Sequence, residues 1–247
     1  MRCGTEPAEP TFWDGLGLAL SSIEFDPFPL LDQIDALGPA WADHYSSYNE
    51  GHSWSALALR GYGGRPGFIE KPAEMSKAWK AEHPDELTWE LADTGLRSDL
   101  PAAEELISLV PGEHHRVRLM RLAPGGGELT RHADITDPDA GIAEGALARI
   151  HLPLRTNEGV RFQSWLPDGS RCGLHMPAGR ACYLDTRKPH TAINGGESER
   201  IHLVIDAVVT TDLLQLLREP APIEHPAPEP AQLGEQKAAR ARLIVPA

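Results

Sequence analysis

Between residues 114 and 208 the chain breaks into short apolar-alternating runs separated by turn residues, and this pattern constrains the fold more than any other feature. The runs are Arg116–Leu122, Ala146–Leu154, Val160–Leu166, Arg171–Met176, Ala181–Asp185 and Arg200–Val208. Between them lie Pro124-Gly-Gly-Gly127, Pro167-Asp-Gly169, Pro177-Ala-Gly179 and Asn194-Gly-Gly196. Strands at that spacing, each too short to span anything but a small sheet, predict an antiparallel sandwich or barrel. The 23 glycines and 22 prolines of the chain fit a fold of many short elements better than a helical bundle.

The first hundred residues read mostly as helix. Leu30, Ile34, Leu37 and Trp41 recur at helical spacing behind a capping Asp26, and the Gly38-Pro39 pair is placed to kink or split that helix. Further helices are predicted near 73–81 and 100–109. Trp54–Arg60 alternates and ends at Gly61, Gly63 and Gly64, which is a strand and a turn. The expected organisation is a single domain over 1–218, with a mostly helical part over 1–113 and a β core over 114–210. From 219 onward five prolines fall within 220–230, so 219–247 reads as an extended tail outside the fold, with a weak helix at 235–245.

Charge and cysteine usage narrow the partners and the compartment. The balance of 23 basic against 36 acidic residues, with no basic cluster, argues against a nucleic-acid groove or an anionic membrane surface. No stretch approaches the roughly 18–20 apolar residues of a membrane helix. The N-terminus carries two glutamates and two prolines where a secretory leader would carry a basic head and an apolar core. The three cysteines, Cys3, Cys172 and Cys182, form no CxxC pair and read as free thiols. The expectation is a cytoplasmic protein acting on a small molecule, its oligomeric state open.

Among eleven histidines, most lack companions: His44, His52, His83, His114, His115 and His225 read as surface or half-buried structural residues, and His175 and His202 could face either side of their strands. His132-Ala-Asp134 differs, because residues i and i+2 of an extended segment point to one side and can reach one metal ion. A third candidate, His190, follows Ala181–Asp185 in a turn, and Arg200 stands ten residues further on. Two imidazoles and a carboxylate occupy one face of an octahedron and suit Fe(II) with open positions for an oxidant and a bidentate co-substrate. A planar guanidinium nearby would grip the far carboxylate of a dicarboxylic keto acid. Arg200, His202, Val204 and Asp206 share a strand face against Ile201, Leu203 and Ile205, and Arg149 and His151 share another against Ile150 and Leu152.

These residues carry a resemblance. Over about 90 residues from Val117 to Val208, the Pro124-Gly125 turn, His132, the Arg149-Ile-His151-Leu152 strand, Gly159, Gly179, Asp185, His190 and Arg200 resemble the aspartyl/asparaginyl β-hydroxylase family of Fe(II)/2-oxoglutarate oxygenases, in their bacterial form. The resemblance implies a mainly β (α+β) fold, a cupin-like jelly roll or double-stranded β-helix with N-terminal helices packed on it. It implies His132, Asp134 and His190 as iron ligands and catalytic centre, Arg200 as the partner of the 2-oxoglutarate C5 carboxylate, and Arg149 and His151 as further co-substrate contacts. The implied reaction consumes O2 and 2-oxoglutarate, hydroxylates an unactivated C–H of an amino acid or peptide residue, with the β-carbon of Asp or Asn or the Pro ring favoured, and yields succinate and CO2. Two positions depart from the animal endoplasmic-reticulum members: Asp134 stands where they have glycine, and Met120 where they have a co-substrate-binding serine. Iron-dependent halogenases lack the carboxylate, so Asp134 points to hydroxylation. Tyr48–Arg60 also looks like the segment before the barrel in bacterial members. For the substrate, Arg60, on the face of Trp54 and Ala58, is a candidate carboxylate grip, and Trp54 and Trp165 are candidate walls. The competing reading is a non-catalytic or sensory cupin-like metal-binding protein.

Overall fold

The computed structural model describes residues 18–44, 48–49, 51–134, 140–165, 171–217, 219–220 and 225–226. Eight strands build the core in chain order: β5 (His114–Leu122), β6 (Gly127–His132), β7 (Leu147–Arg155), β8 (Val160–Trp165), β9 (Arg171–Leu174), β10 (Arg180–Leu184), β11 (His190–Asn194) and β12 (Arg200–Val208). They are preceded by β1 (Leu18–Glu24), β2 (Ala42–Asp43), β3 (Trp54–Tyr62) and β4 (Leu91–Asp93), and followed by β13 (Glu219–Pro220) and β14 (His225–Pro226). The larger sheet runs β13-β1-β10-β7-β12-β5-β3-β2, with β4 on β3, and the smaller runs β14-β9-β8-β11-β6. Every named pairing is antiparallel. Within the core, β5, β12, β7 and β10 form one sheet and β6, β11, β8 and β9 the other, so the chain winds between two facing sheets. That is the double-stranded β-helix; the six alternating runs of the sequence are six of its strands, while β6 and β11 were not among them.

The faces of β12 show why this segment folds so. Ile201, Leu203, Ile205 and Ala207 enter one apolar cluster, together with Val117, Leu119, Ile150 and Leu152 from the neighbouring strands. Helices α1 (Phe28–Leu37) and α4 (Ala102–Ser108) cover that cluster with Leu30, Leu31, Ile34, Leu106 and Ile107, and α5 (Thr211–Leu216) adds Leu213. The opposite residues Arg200, His202 and Asp206 are equally buried, but inside the barrel. A strand packed on both faces must be apolar on the helix side, while its polar residues survive only where the barrel interior satisfies them.

The N-terminal region is less helical than its periodicity suggests. α1 stops at Leu37 because Gly38 takes the left-handed conformation, φ 55°, and closes the helix with its N–H on the Ile34 carbonyl, so Trp41 lies outside it. The N-cap position is Pro27, and Asp26 stands one residue before it, its Oδ1 accepting from the Phe28 N–H at 3.0 Å. The helix predicted near 73–81 is a 3₁₀ turn, Pro72–Glu74, and a short α2 (Lys77–Glu82). The one near 100–109 is α4, with α3 (Gly95–Asp99) in front of it. β1 and β4 extend the larger sheet where no strand was expected.

The proline-rich segment is in part drawn into the fold, correcting its reading as a tail unable to form strand. Glu219–Pro220 pairs with β1, and His225–Pro226 with β9, at sheet edges where a residue lacking an N–H is tolerated. The weak helix expected at 235–245 lies outside the described residues, as does Cys3. Cys182 is buried and unpaired. Among the described residues no helix is long and apolar enough to cross a membrane.

At one end of the barrel, backbone packs directly on backbone. Gly195 N–H bonds the Gly159 carbonyl at 2.9 Å, and a methyl group on Gly159 would run into the backbone nitrogen of Gly196. Neither side of that contact is a flexible side chain, so one turn must move. Gly159→Ala is expected to lose about 1–3 kcal/mol, the usual cost of overpacking, read as a lower urea midpoint with an unchanged slope. An unchanged midpoint would mean the turns are free to separate.

Candidate metal centre

The two histidines are brought together by strand register. His190 is the first residue of β11, not part of a turn, and pairs directly with His132, the last residue of β6. Their ring centroids stand 4.3 Å apart. Asp134 follows two residues after His132, with its Oδ1 3.6 Å from His132 Nε2. One ligand atom from each of His132, Asp134 and His190 lies within 4.8 Å of the other two.

Backbone carbonyls set the imidazoles for coordination. His132 Nδ1 is 2.8 Å from the Thr130 carbonyl, and His190 Nδ1 is 2.8 Å from the Lys188 carbonyl. A carbonyl only accepts, so each Nδ1 carries a proton and Nε2 is the nitrogen left to face a metal, the arrangement in which histidine binds metals. The turn at 185–188 serves both sides. It is pinned by the buried Asp185, whose Oδ1 accepts from Arg187 Nε at 2.8 Å. From it Thr186 offers its carbonyl to the Asp134 N–H at 2.7 Å, while Lys188 orients His190. Burial, with His132 beside it, pushes His190 down to about 4, so its ring is neutral at physiological pH. Burial works against the Asp134 charge, but Arg149, His190 and His132 outweigh it and hold the carboxyl below its ordinary range. Two inward-facing imidazoles and an ionised carboxylate are the donor set of a facial-triad metal.

The triad opens on a cavity of about 570 Å³ that also receives Arg149, His151, Arg200 and Trp54. Arg200 is buried and makes no ion pair with any described residue; its Nε has no partner, and the guanidinium lies 5.5 Å from the Phe162 ring centre. Burial alone pulls it down to about 9. A buried cation without a counter-charge is costly, so this end of the cavity fits an anion. His151 Nδ1 meets His202 Nδ1 at 3.2 Å, and the Nε2 atoms of both rings are buried without a partner. Desolvation, with Arg200 nearby, drives both well below the usual histidine range, so they share one N–H···N bond as neutral rings. Arg149 is engaged on two sides, its Nε on Asp206 at 2.7 Å and its Nη1 on Asp134 at 2.6 Å. It therefore stands against the acid of the triad.

Two candidates lie elsewhere. Arg60 is not in the cavity: its Nη1 bonds Asp93 at 3.0 Å and its Nε the His114 carbonyl at 3.0 Å. The register of β3 on β5 slips between Ala58, opposite Arg118, and Arg60, opposite Val117. This bulge turns Arg60 away from the interior face held by Trp54, Ala56 and Ala58. Trp165 is outside as well. It stands three residues beyond the cavity-lining Phe162, which puts it on the other face, and Arg131 covers its ring at 4.5 Å.

The cavity also holds residues that spacing did not reveal. His44, read as structural, stacks on Trp54 with centroids 3.5 Å apart, and burial with Arg118 and Arg116 nearby lowers it to about 3. Tyr48 stacks on His132 at 4.6 Å. Arg116 and Arg118 line the cavity from β5, and their position alternating with Val117 and Leu119 was the signal for an inward-facing pair.

A double-stranded β-helix with two histidines and one carboxylate converging inside its mouth is a cupin-like jelly roll whose His-His-Asp triad is consistent with a facial-triad metal site. The sequence profile described as aspartyl/asparaginyl beta-hydroxylase matches residues 31–209, and the chain belongs to that family. A search of curated protein sequences gives no significant match. Similar solved structures include a Pseudomonas putida prolyl-4-hydroxylase, 14% identical over 79% of this chain and 94% of that one, TM-score 0.42. A Trichoplax adhaerens prolyl hydroxylase in complex with a hypoxia-inducible-factor peptide fragment is 13% identical over 81% of this chain and 87% of that one, TM-score 0.46. A Bordetella pertussis cupin domain is 18% identical over 40% of this chain and 85% of that one, TM-score 0.28.

Proposed function

We propose that the chain is an Fe(II)/2-oxoglutarate-dependent dioxygenase that hydroxylates an unactivated C–H of an amino acid or a peptide residue, with Asp, Asn and Pro as leading substrates. The observation that carries this reading is Arg200, a buried and unpaired guanidinium in the same cavity as the triad. His132, Asp134 and His190 would hold the metal, and Arg200 would take the distal carboxylate of the keto acid. When bound, iron supplies the activation of O2 coupled to oxidative decarboxylation of 2-oxoglutarate to succinate and CO2.

The protein's own part is positioning and water exclusion. Arg149 fixes the orientation of Asp134 through its 2.6 Å bond. The Thr130 and Lys188 carbonyls keep both Nε2 atoms bare and facing inward. Met120, Leu122, Phe162 and Leu184 line the cavity with apolar surface that limits stray water. Met120 cannot supply the hydrogen bond that a serine would, so the co-substrate rests more heavily on Arg200.

Arg200→Ala is expected to weaken 2-oxoglutarate binding at least about thirtyfold, the lower bound for truncating one member of a buried charge pair, with Arg200→Lys in between because it keeps the charge and loses the fork. Calorimetric titration of the metal-loaded protein checks this, and an unchanged affinity removes Arg200 from the co-substrate site. The reaction itself is tested by incubating the chain with Fe(II), ascorbate, 2-oxoglutarate and candidate amino acids or peptides and measuring succinate against the His190→Ala protein. No succinate above that control favours the non-catalytic, metal-binding reading.

A further inference from the structure

The cavity has a second end lined by arginines, and the co-substrate does not account for it. Along strand β12, Asp206 stands six residues, or about 20 Å at the ordinary strand rise, from Arg200. At the Asp206 end three guanidiniums converge: Arg116 Nε at 2.9 Å, Arg118 Nη2 at 2.9 Å and Arg149 Nε at 2.7 Å from its carboxylate. Arg116 and Arg118 share a single oxygen, Oδ2. Arg118 is almost wholly buried, lines the cavity, and leaves its Nε without a partner. Opposite Val204 in the register, it sits four residues, or about 13 Å, along the sheet from the Arg200 position.

Under the function proposed above, both carboxylates of 2-oxoglutarate are already placed, one at the metal and one at Arg200. We propose that the Arg116–Arg118 end binds the α-carboxylate of the substrate, and that the substrate is therefore a free amino acid and not a residue within a peptide. An internal peptide residue has no α-carboxylate and would bury the Arg118 Nε against an amide. The same end carries acid for an ammonium group: Glu70 and Glu74 line the cavity, Glu74 being 4.0 Å from Arg116. A zwitterion is thus met by both signs of charge. The neutral His44–Trp54 stack gives the same cavity a flat aromatic wall for an aliphatic body. The field at Arg118 agrees: burial and Arg116 lower it to about 9 against the pull of Asp206, so a second carboxylate is welcome there.

This inference rests on the dioxygenase reading, and the test separates the two. The full chain is loaded with Mn(II), so that nothing turns over, and its melting temperature is recorded with 2-oxoglutarate alone, then with each of the twenty L-amino acids and its α-carboxamide. The expected result is a rise with 2-oxoglutarate, a further rise with at least one amino acid, and none with the matching amide. Arg118→Met keeps the first rise and loses the second, while Arg118→Lys retains part of it. If an amide stabilises as well as its acid, if Arg118→Met responds like the native chain, or if 2-oxoglutarate stabilises and no amino acid does, the carboxylate site is overturned while the dioxygenase reading stands. If 2-oxoglutarate itself gives no rise, both fall. Should Arg118→Met not fold, the comparison of acid with amide on the native chain decides.

Discussion

The His190→Ala protein is expected to keep its jelly roll and to lose at least about a hundredfold in divalent-metal affinity, with succinate formation falling to background. Even partners that only orient a ligand cost 10–100-fold when removed, and His190 supplies a ligand atom. It is the cleanest of the three candidate positions to truncate. Asp134 also accepts a 2.6 Å bond from Arg149, so removing it would unbalance a buried guanidinium as well as the metal site. His132 stacks against Tyr48, so its loss would also disturb the cavity wall. Among the described residues the His190 side chain hydrogen-bonds the Lys188 carbonyl, a contact water can replace, and its other ring contact is with His132, within the triad itself. The measurement is a Mn(II) titration by calorimetry beside a thermal scan. A variant that binds Mn(II) like the native chain would show that the ion sits elsewhere.

What could be read from the sequence divides along physical lines. The faces of β7 and β12 were legible because a strand buried on both sides writes two compositions into alternate residues: Ile150 and Leu152 against Arg149 and His151, Ile201, Leu203 and Ile205 against Arg200, His202 and Asp206. The location of His190 in one cavity with His132 and Asp134 followed from the family motif, but its place in a strand did not, since the register of β11 on β6 is a tertiary fact. Arg60 was misjudged because alternation assumes an unbroken strand, and the bulge after Ala58 reverses the face. Trp165 is placed by parity once the structure shows Phe162 lining the cavity, since the two are an odd number of residues apart. His44 could not be found by spacing at all. It is placed by a loop that Asn49 gathers, donating to the His44 and Trp54 carbonyls at 2.9 and 2.8 Å and accepting from Trp54 N–H at 2.9 Å. β1 was hidden because its partner, β10, lies about 160 residues away.

The second large effect concerns stability. Asp206 is the one carboxylate on which Arg116, Arg118 and Arg149 converge, all within 2.9 Å. Burial opposes its charge, but the three guanidiniums prevail and hold it well below the ordinary carboxylate range. Asp206→Asn would keep the shape and remove the charge, leaving three buried cations at one point. Breaking a buried ion pair costs about 3–5 kcal/mol, a large part of a stability of about 5–15 kcal/mol. The melting temperature is expected to fall by roughly 6–20 °C for a chain of this size. The pH dependence gives a second reading. A carboxyl whose folded pKa is depressed contributes its stability fully above its unfolded value near ~4 and loses it as the pH falls further. The native chain should therefore lose stability below about pH 4, and Asp206→Asn should flatten that acid limb while lowering the plateau above it. An Asp206→Asn protein with the native plateau would mean that the arginines find compensation elsewhere, from Asp134 already bonded to Arg149 at 2.6 Å and Glu74 at 4.0 Å from Arg116.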